Sequence, residues 1–152
     1  MPDIQRWAGD VDLSKNIEGM LWGGNLSILT TLLGTEYFPT EKQVNGGILF
    51  IEDINEHPYR IERMLLQLHE AGVLGKQRAI LLGHFSQYRL YEVDRGYNLD
   101  AAIDLIRGRI PKSIPILTGL PFGHIKDKLT LPVGAQVNLQ ASTKGFVLEG
   151  KW

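Results

Sequence analysis

"ILFIEDINEHPYRIERML", residues 48–65, decides how the rest of this chain is read. Ile48, Leu49, Phe50 and Ile51 form a continuous apolar run, the pattern of a strand buried on both faces of a sheet. Pro58 then stands where a helix begins, a position at which a missing N–H costs nothing. Behind it Ile61, Met64, Leu65 and Leu68 share one helical face, with Arg60, Glu62, Arg63 and Gln67 on the others. Gly72 ends the helix. Strand, turn and helix within 25 residues predict an α/β unit. The anomaly is Glu52, an acid at the end of the core strand. A carboxylate there needs a partner, and the C-terminal edge of an α/β sheet is where ligands and catalytic groups gather. Two readings stand side by side: Glu52 caps backbone N–H groups or pairs with Arg60 or Arg63, or it belongs to a site.

Working outward, Glu18–Trp22 reads as a short strand and Gly23-Gly24-Asn25 as a turn in which Asn25 caps a helix carrying Leu26, Leu29 and Leu33. Asn45-Gly46-Gly47 is a turn before the central strand. Ala79–Leu82 is a second buried strand. Asn98 caps a helix with Ala102, Ile103 and Ile106, and Pro115–Thr118 is another short strand. Leu129–Leu131, Ala135–Leu139 and Phe146–Glu149 are predicted as short strands separated by Pro132-Val133-Gly134 and by Ser142–Gly145, giving an antiparallel tail. The prediction is an α/β domain with about three helices and a β-rich C-terminal part. Residues 1–17 are polar and unpatterned and read as an arm or interdomain linker, with the domain over 18–152. The abrupt start suggests a segment of something larger.

Composition narrows the function classes. Hydrophobic residues are 43% and charged residues 22% of 152, as in ordinary globular domains. Net charge is −1 and no basic run exists to hold nucleic acid. No apolar run approaches the roughly 20 residues that span a bilayer. The chain has no cysteine, which excludes disulfides and thiolate chemistry. A cytoplasmic protein without nucleic-acid or membrane partners is the expectation.

Four histidines compete for a chemical role. His124 lies in "GLPFGHIKDKLTLPVG", on a turn made tight by Gly119 and Gly123; it is either a surface loop histidine or a general base. His57 sits at the start of a helix as a capping or packing residue. His69 is near a helix C-terminus, and His84 follows a buried strand in "LLGHFS". Asp53, Glu56 and His57 are close enough in sequence to suggest a metal site, but no metal-ligand signature surrounds them. Of the five serines, Ser14, Ser27, Ser86, Ser113 and Ser142, none lies in a G-x-S-x-G elbow. A Glu and a His without a nucleophile are two thirds of a triad.

Five stretches together carry a resemblance: "LWGGNLSILTTLLGT", "GGILFIEDINEHPYRIERMLLQLHEAGVL", "LLGHFS", "GYNL" and "PILTGLPFGHIKDKLTLPVGA". They cover most of residues 18–139 and resemble the C-terminal half of the LD-carboxypeptidase family of serine peptidases. The form "EDINEHPYRIERMLLQL" is more similar to the murein enzymes than to the microcin-immunity members. The resemblance implies a swivelling β/β/α domain that supplies Glu52 and His124 to a Ser–Glu–His triad. It also implies that the serine comes from an N-terminal nucleophile domain absent here. It further implies a murein tetrapeptide substrate that loses its terminal D-alanine during peptidoglycan recycling, with no cofactor or metal. Gly23, Gly24 and Asn25 are candidates for lining the substrate cleft, beside the plainer reading as the turn into a helix. Three expectations follow: the chain alone is inactive, it self-associates as a homo-oligomer, and its partner is the missing domain. Two other classes remain open, a non-catalytic peptide-binding module and a metal-dependent hydrolase using Asp53, Glu56 and His57.

Overall fold

A computed structural model describes residues 6–142 and 145–150. Residues 1–5 of the expected arm, 143–144 of the expected Ser142–Gly145 turn, and 151–152 lie outside the described residues. Six strands form one sheet: β1 (Ile17–Asn25), β2 (Ile48–Ile54), β3 (Ala79–Ser86), β4 (Ile116–Leu117), β5 (Gln136–Ser142) and β6 (Gly145–Gly150), in the order β4-β3-β2-β1-β5-β6. The first four are mutually parallel, and β5 and β6 add antiparallel to the β1 edge. Four α-helices are described: α1 (Leu26–Leu32), α2 (Glu41–Val44), α3 (Pro58–Glu70) and α4 (Leu99–Arg107). The α/β expectation therefore holds; α2, the helix beyond the expected three, is a single turn.

Side chains alternate across a strand, and β2 shows why its sequence is apolar without interruption. Leu49 and Ile51 pack with Ile61, Leu65 and Leu68 of α3 and with Ile103 and Ile106 of α4. Ile48 and Phe50 face the opposite side, where Leu21, Leu81, Leu117, Leu120, Val137 and Leu139 form a second cluster. Both faces of the central strand are thus covered, one by helices and the other by the curled β5 edge and the loop after β4. The caps are those the sequence predicts: Asn25 accepts the Ile28 N–H, His57 the Tyr59 N–H and Asn98 the Ala101 N–H.

Two expectations, the Gly23-Gly24-Asn25 turn and the Leu129–Leu131 strand, are corrected. Gly23-Gly24-Asn25 is no turn: β1 runs through it, pairing Gly23 with Phe50, Gly24 with Ile51 and Asn25 with Glu52. Gly23 has φ +136°, and a β-carbon there would lie 1.9 Å from the Phe50 carbonyl oxygen, so only glycine lets the two strands approach. Leu129–Leu131 is not a strand, because the Leu129 N–H donates to the Pro121 carbonyl (2.8 Å) and folds that stretch against its own loop. The described part of the polar N-terminal segment packs on the domain: Trp7, Ala8 and Leu13 are buried, and Trp7 forms a β-bridge with Ile116.

Candidate functional site

The site grows from the C-terminal edge of β1, β2 and β3. Glu52 directly follows the apolar run Ile48–Ile51 within β2, and the sheet leaves it 3% exposed. The register of β2 against β3 shifts between Ile51 and Asp53: Ile51 pairs with Leu82 but Asp53 with Phe85. One extra β3 residue is thus accommodated opposite Glu52, a bulge at Gly83-His84. The bulge makes room for the acid. A β-carbon on Gly83 would stand 3.1 Å from that of Glu52 and 2.7 Å from the Phe122 carbonyl oxygen.

The same bulge positions the loop that carries His124. The His84 N–H donates to the Phe122 carbonyl (2.9 Å), and the Leu120 N–H to the Leu82 carbonyl (3.3 Å). Leu120 is fully buried, and the Phe122 ring meets Phe50 edge-on with centroids 4.9 Å apart. Gly123, at φ +127°, turns the chain over the carboxylate; a β-carbon there would lie 3.0 Å from Glu52 Oε2. His124 emerges directly above, its Nδ1 2.9 Å from Glu52 Oε2. The acid side chain is 4% exposed and the imidazole 49%. Since an ionised carboxylate only accepts, Nδ1–H is the donor, and Nε2 is left as the basic nitrogen facing solvent. Neither Arg60 nor Arg63 pairs with Glu52; the ion pair of Arg60 is with Glu56 at 3.6 Å.

The second oxygen of Glu52 is held from β1. Asn25 Nδ2 donates to Glu52 Oε1 (3.2 Å) and to Asp53 Oδ1 (3.0 Å). Asp53, 2% exposed, also accepts from the Ser27 N–H (2.9 Å), the Ser27 hydroxyl (2.8 Å) and its neighbour's Ile54 N–H (2.9 Å). A buried carboxylate with this many donors is satisfied without a cation. The run Asp53–Asn25–Glu52–His124 is one continuous hydrogen-bonded line. Gly24, the next-to-last residue of β1, has open space where a side chain would be.

The three candidate metal ligands do not converge. Asp53 points into α1, Glu56 pairs with Arg60, and His57 Nε2 sits 3.1 Å from Asp94 Oδ2. Among the described residues no group of three metal-ligating side chains comes together. Ser27 is tied to Asp53 and Asn25 in α1, and Ser86 has its hydroxyl buried. His84 is exposed on the bulge, and His69 is on α3, away from the dyad in sequence and element. Sequence reasoning missed Gly83, although a glycine inside a strand is itself the signature of a bulge or a close approach. It also missed the second role of Asp53, anchoring Asn25.

With this geometry in place, the comparisons with known proteins are informative. Residues 18–139 match the family model of the LD-carboxypeptidase C-terminal domain. The chain is 37% identical over 135 residues to a Bacillus subtilis protein named "Probable murein peptide carboxypeptidase", an alignment covering 87% of this chain and 40% of that one. It is 36% identical over 140 residues to the Escherichia coli microcin C7 self-immunity protein MccF, covering 88% and 37%. Among solved structures it is similar to the muramoyltetrapeptide carboxypeptidase from Oxalobacter formigenes, with TM-score 0.81 and 50% identity over 93% of this chain and 47% of that one. The chain spans about two fifths of the length of the curated relatives it matches. Among the described residues, no helix is long and apolar enough to cross a membrane.

Proposed function

We propose, since this chain belongs to the LD-carboxypeptidase C-terminal domain family, that it supplies the acid and base of a Ser–Glu–His triad for removing terminal D-alanine from murein tetrapeptides. The observation that carries this reading is the pairing of a buried Glu52 with a half-exposed His124. It is supported by the identity of 50% to the Oxalobacter formigenes muramoyltetrapeptide carboxypeptidase. Glu52 fixes the imidazole with Nε2 outward and stabilises the imidazolium once it forms. His124 Nε2 then takes the proton of a serine hydroxyl as that oxygen attacks the scissile carbonyl. The proton passes to the departing D-alanine amine, leaving an acyl-enzyme. Water, deprotonated by the same nitrogen, completes the cycle.

The serine and its oxyanion donors belong, on this reading, to an N-terminal nucleophile domain outside these 152 residues. Gly24 and Asn25 border the substrate cleft, Asn25 chiefly by holding Glu52. The setting is peptidoglycan recycling in the cytoplasm. No step in this scheme requires a cofactor.

The chain alone is therefore expected to be inactive. Loss of a triad member costs several orders of magnitude, and here the oxyanion hole is lost with it. D-alanine release from murein tetrapeptide by the purified chain is the test. Release no faster than the protein-free control is expected; turnover that disappears in His124→Ala would overturn the two-domain reading.

A further inference from the structure

The bulge on β3 does more than make room for Glu52. Leu82 and Phe85 both pack into the helix-side cluster, although strict alternation would send residues 82 and 85 to opposite faces. The extra residue absorbs that difference, so Gly83 and His84 both face the other side, the side of Glu52. In agreement, a β-carbon on Gly83 would stand 3.1 Å from that of Glu52. The backbone of His84 is fixed against the loop of the base. Its N–H donates to the Phe122 carbonyl (2.9 Å), and its own carbonyl oxygen would lie 3.1 Å from a β-carbon on Gly123, the residue before His124.

The His84 side chain is exposed and, among the described residues, has no hydrogen bond, ion pair or ring contact. It is free to serve a ligand, with one N–H donor when neutral and two when protonated. The charged groups around it leave room for an anion. Glu52 is already compensated by His124 Nδ1 and Asn25 Nδ2, and Asp53 points away into α1. Along the loop beyond His124, Lys126 and Lys128 are exposed without an ion-pair partner among the described residues, with the exposed Asp127 between them. Scale points the same way. Neighbouring strands lie about 4.8 Å apart, so His84 stands one strand spacing from the acid of the dyad. In a peptide cut one residue from its end, the terminal carboxylate lies one residue, ~3.8 Å, past the scissile bond.

We propose that His84 is a specificity-determining residue, whose imidazole binds the free terminal carboxylate of the peptide while His124 addresses the scissile bond before it. The proposal rests on the peptidase reading above and extends it from cleavage to the selection of a chain end.

The test is an NMR titration of the 152-residue chain, followed at the imidazole signals of His84 and His124. Two probes are compared: murein tetrapeptide, and the same peptide with its terminal carboxylate converted to the carboxamide. At about pH 5.5 the carboxylate form is expected to bind about tenfold tighter and to shift both histidines, whereas the carboxamide shifts His124 alone. The preference should shrink at about pH 8, because histidine side chains lose their charge across this range. His84→Ala should bind the two probes alike. His84→Arg, cationic at both pH values, should prefer the carboxylate at both. If the peptide shifts His124 while the two probes bind alike, or if the preference survives in His84→Ala, the role of His84 is overturned and the peptidase reading stands. If neither probe shifts either histidine, both fail.

Discussion

Glu52 and His124, 72 positions apart in sequence, meet at 2.9 Å with the acid 4% and the imidazole 49% exposed. The asymmetry is the useful part. A carboxylate out of water and an imidazole half in it gives a fixed orientation on one side and an accessible base on the other.

That contact depends on two missing β-carbons. Gly123→Ala would put a methyl group 3.0 Å from Glu52 Oε2 at φ +127°, and strain of this kind costs about 1–3 kcal/mol. Urea unfolding is expected to show that loss. The His124 side-chain resonances of the folded variant should shift as well, because the loop must move off Glu52.

Asp53 is predicted to be the most sensitive acid in the site for stability. Asp53→Ala removes an acceptor shared by Asn25, Ser27 and Ile54 in a position 2% exposed. Orphaning these donors should cost on the order of 3 kcal/mol. Asp53→Asn should recover only part of it, since an amide cannot accept at both ends. Denaturant midpoints of the two variants check the order.

How much of this was legible beforehand divides by range. The central strand, helix α3 and their caps were readable because apolar spacing and Pro58 act locally. Glu52 stood out as an acid in a buried run for the same reason. Its partner did not: nothing within reach of Glu52 in sequence points to residue 124, and only the family resemblance paired them. The burial of Trp7 is not legible in sequence because one aromatic in a polar segment has no period. Gly23 and Gly24 read as a turn because glycine serves both a turn and a close strand approach. Leu129–Leu131 looked like a strand because short apolar runs do not reveal whether a neighbour exists to pair with.

Tyr97 gives a pH-dependent prediction remote from the dyad. Its hydroxyl donates to Glu62 Oε2 at 2.5 Å, and burial, reinforced by that carboxylate, raises its pKa. A raised pKa means that the protonated phenol is favoured in the fold. Its stabilisation is present below the unfolded value of about 10 and is lost as pH rises toward the folded one. Tyr97→Phe should cost about 1 kcal/mol at pH 7, less any share screened by solvent. The gap between wild type and variant should close at strongly alkaline pH. Unfolding curves for both proteins between pH 7 and 11 measure it.

Self-association is expected from the apolar side chains left in water. Ile28, Tyr37, Leu129 and Val133 are each more than half exposed, and such surface favours burial against another copy. Light scattering coupled to size exclusion should return a dimer or larger species; a strictly monomeric mass across a concentration series counts against it.

The most direct measurement is made on a chimera. Residues 18–139 replace the matching segment of the Oxalobacter formigenes muramoyltetrapeptide carboxypeptidase, and D-alanine release from murein tetrapeptide is followed. An active chimera is expected, whose rate falls by a factor of about 10³ or more with His124→Ala and by a similar order with Glu52→Ala, while Glu56→Gln leaves it working. A folded, active chimera that loses nothing with His124→Ala would contradict the assignment of the dyad.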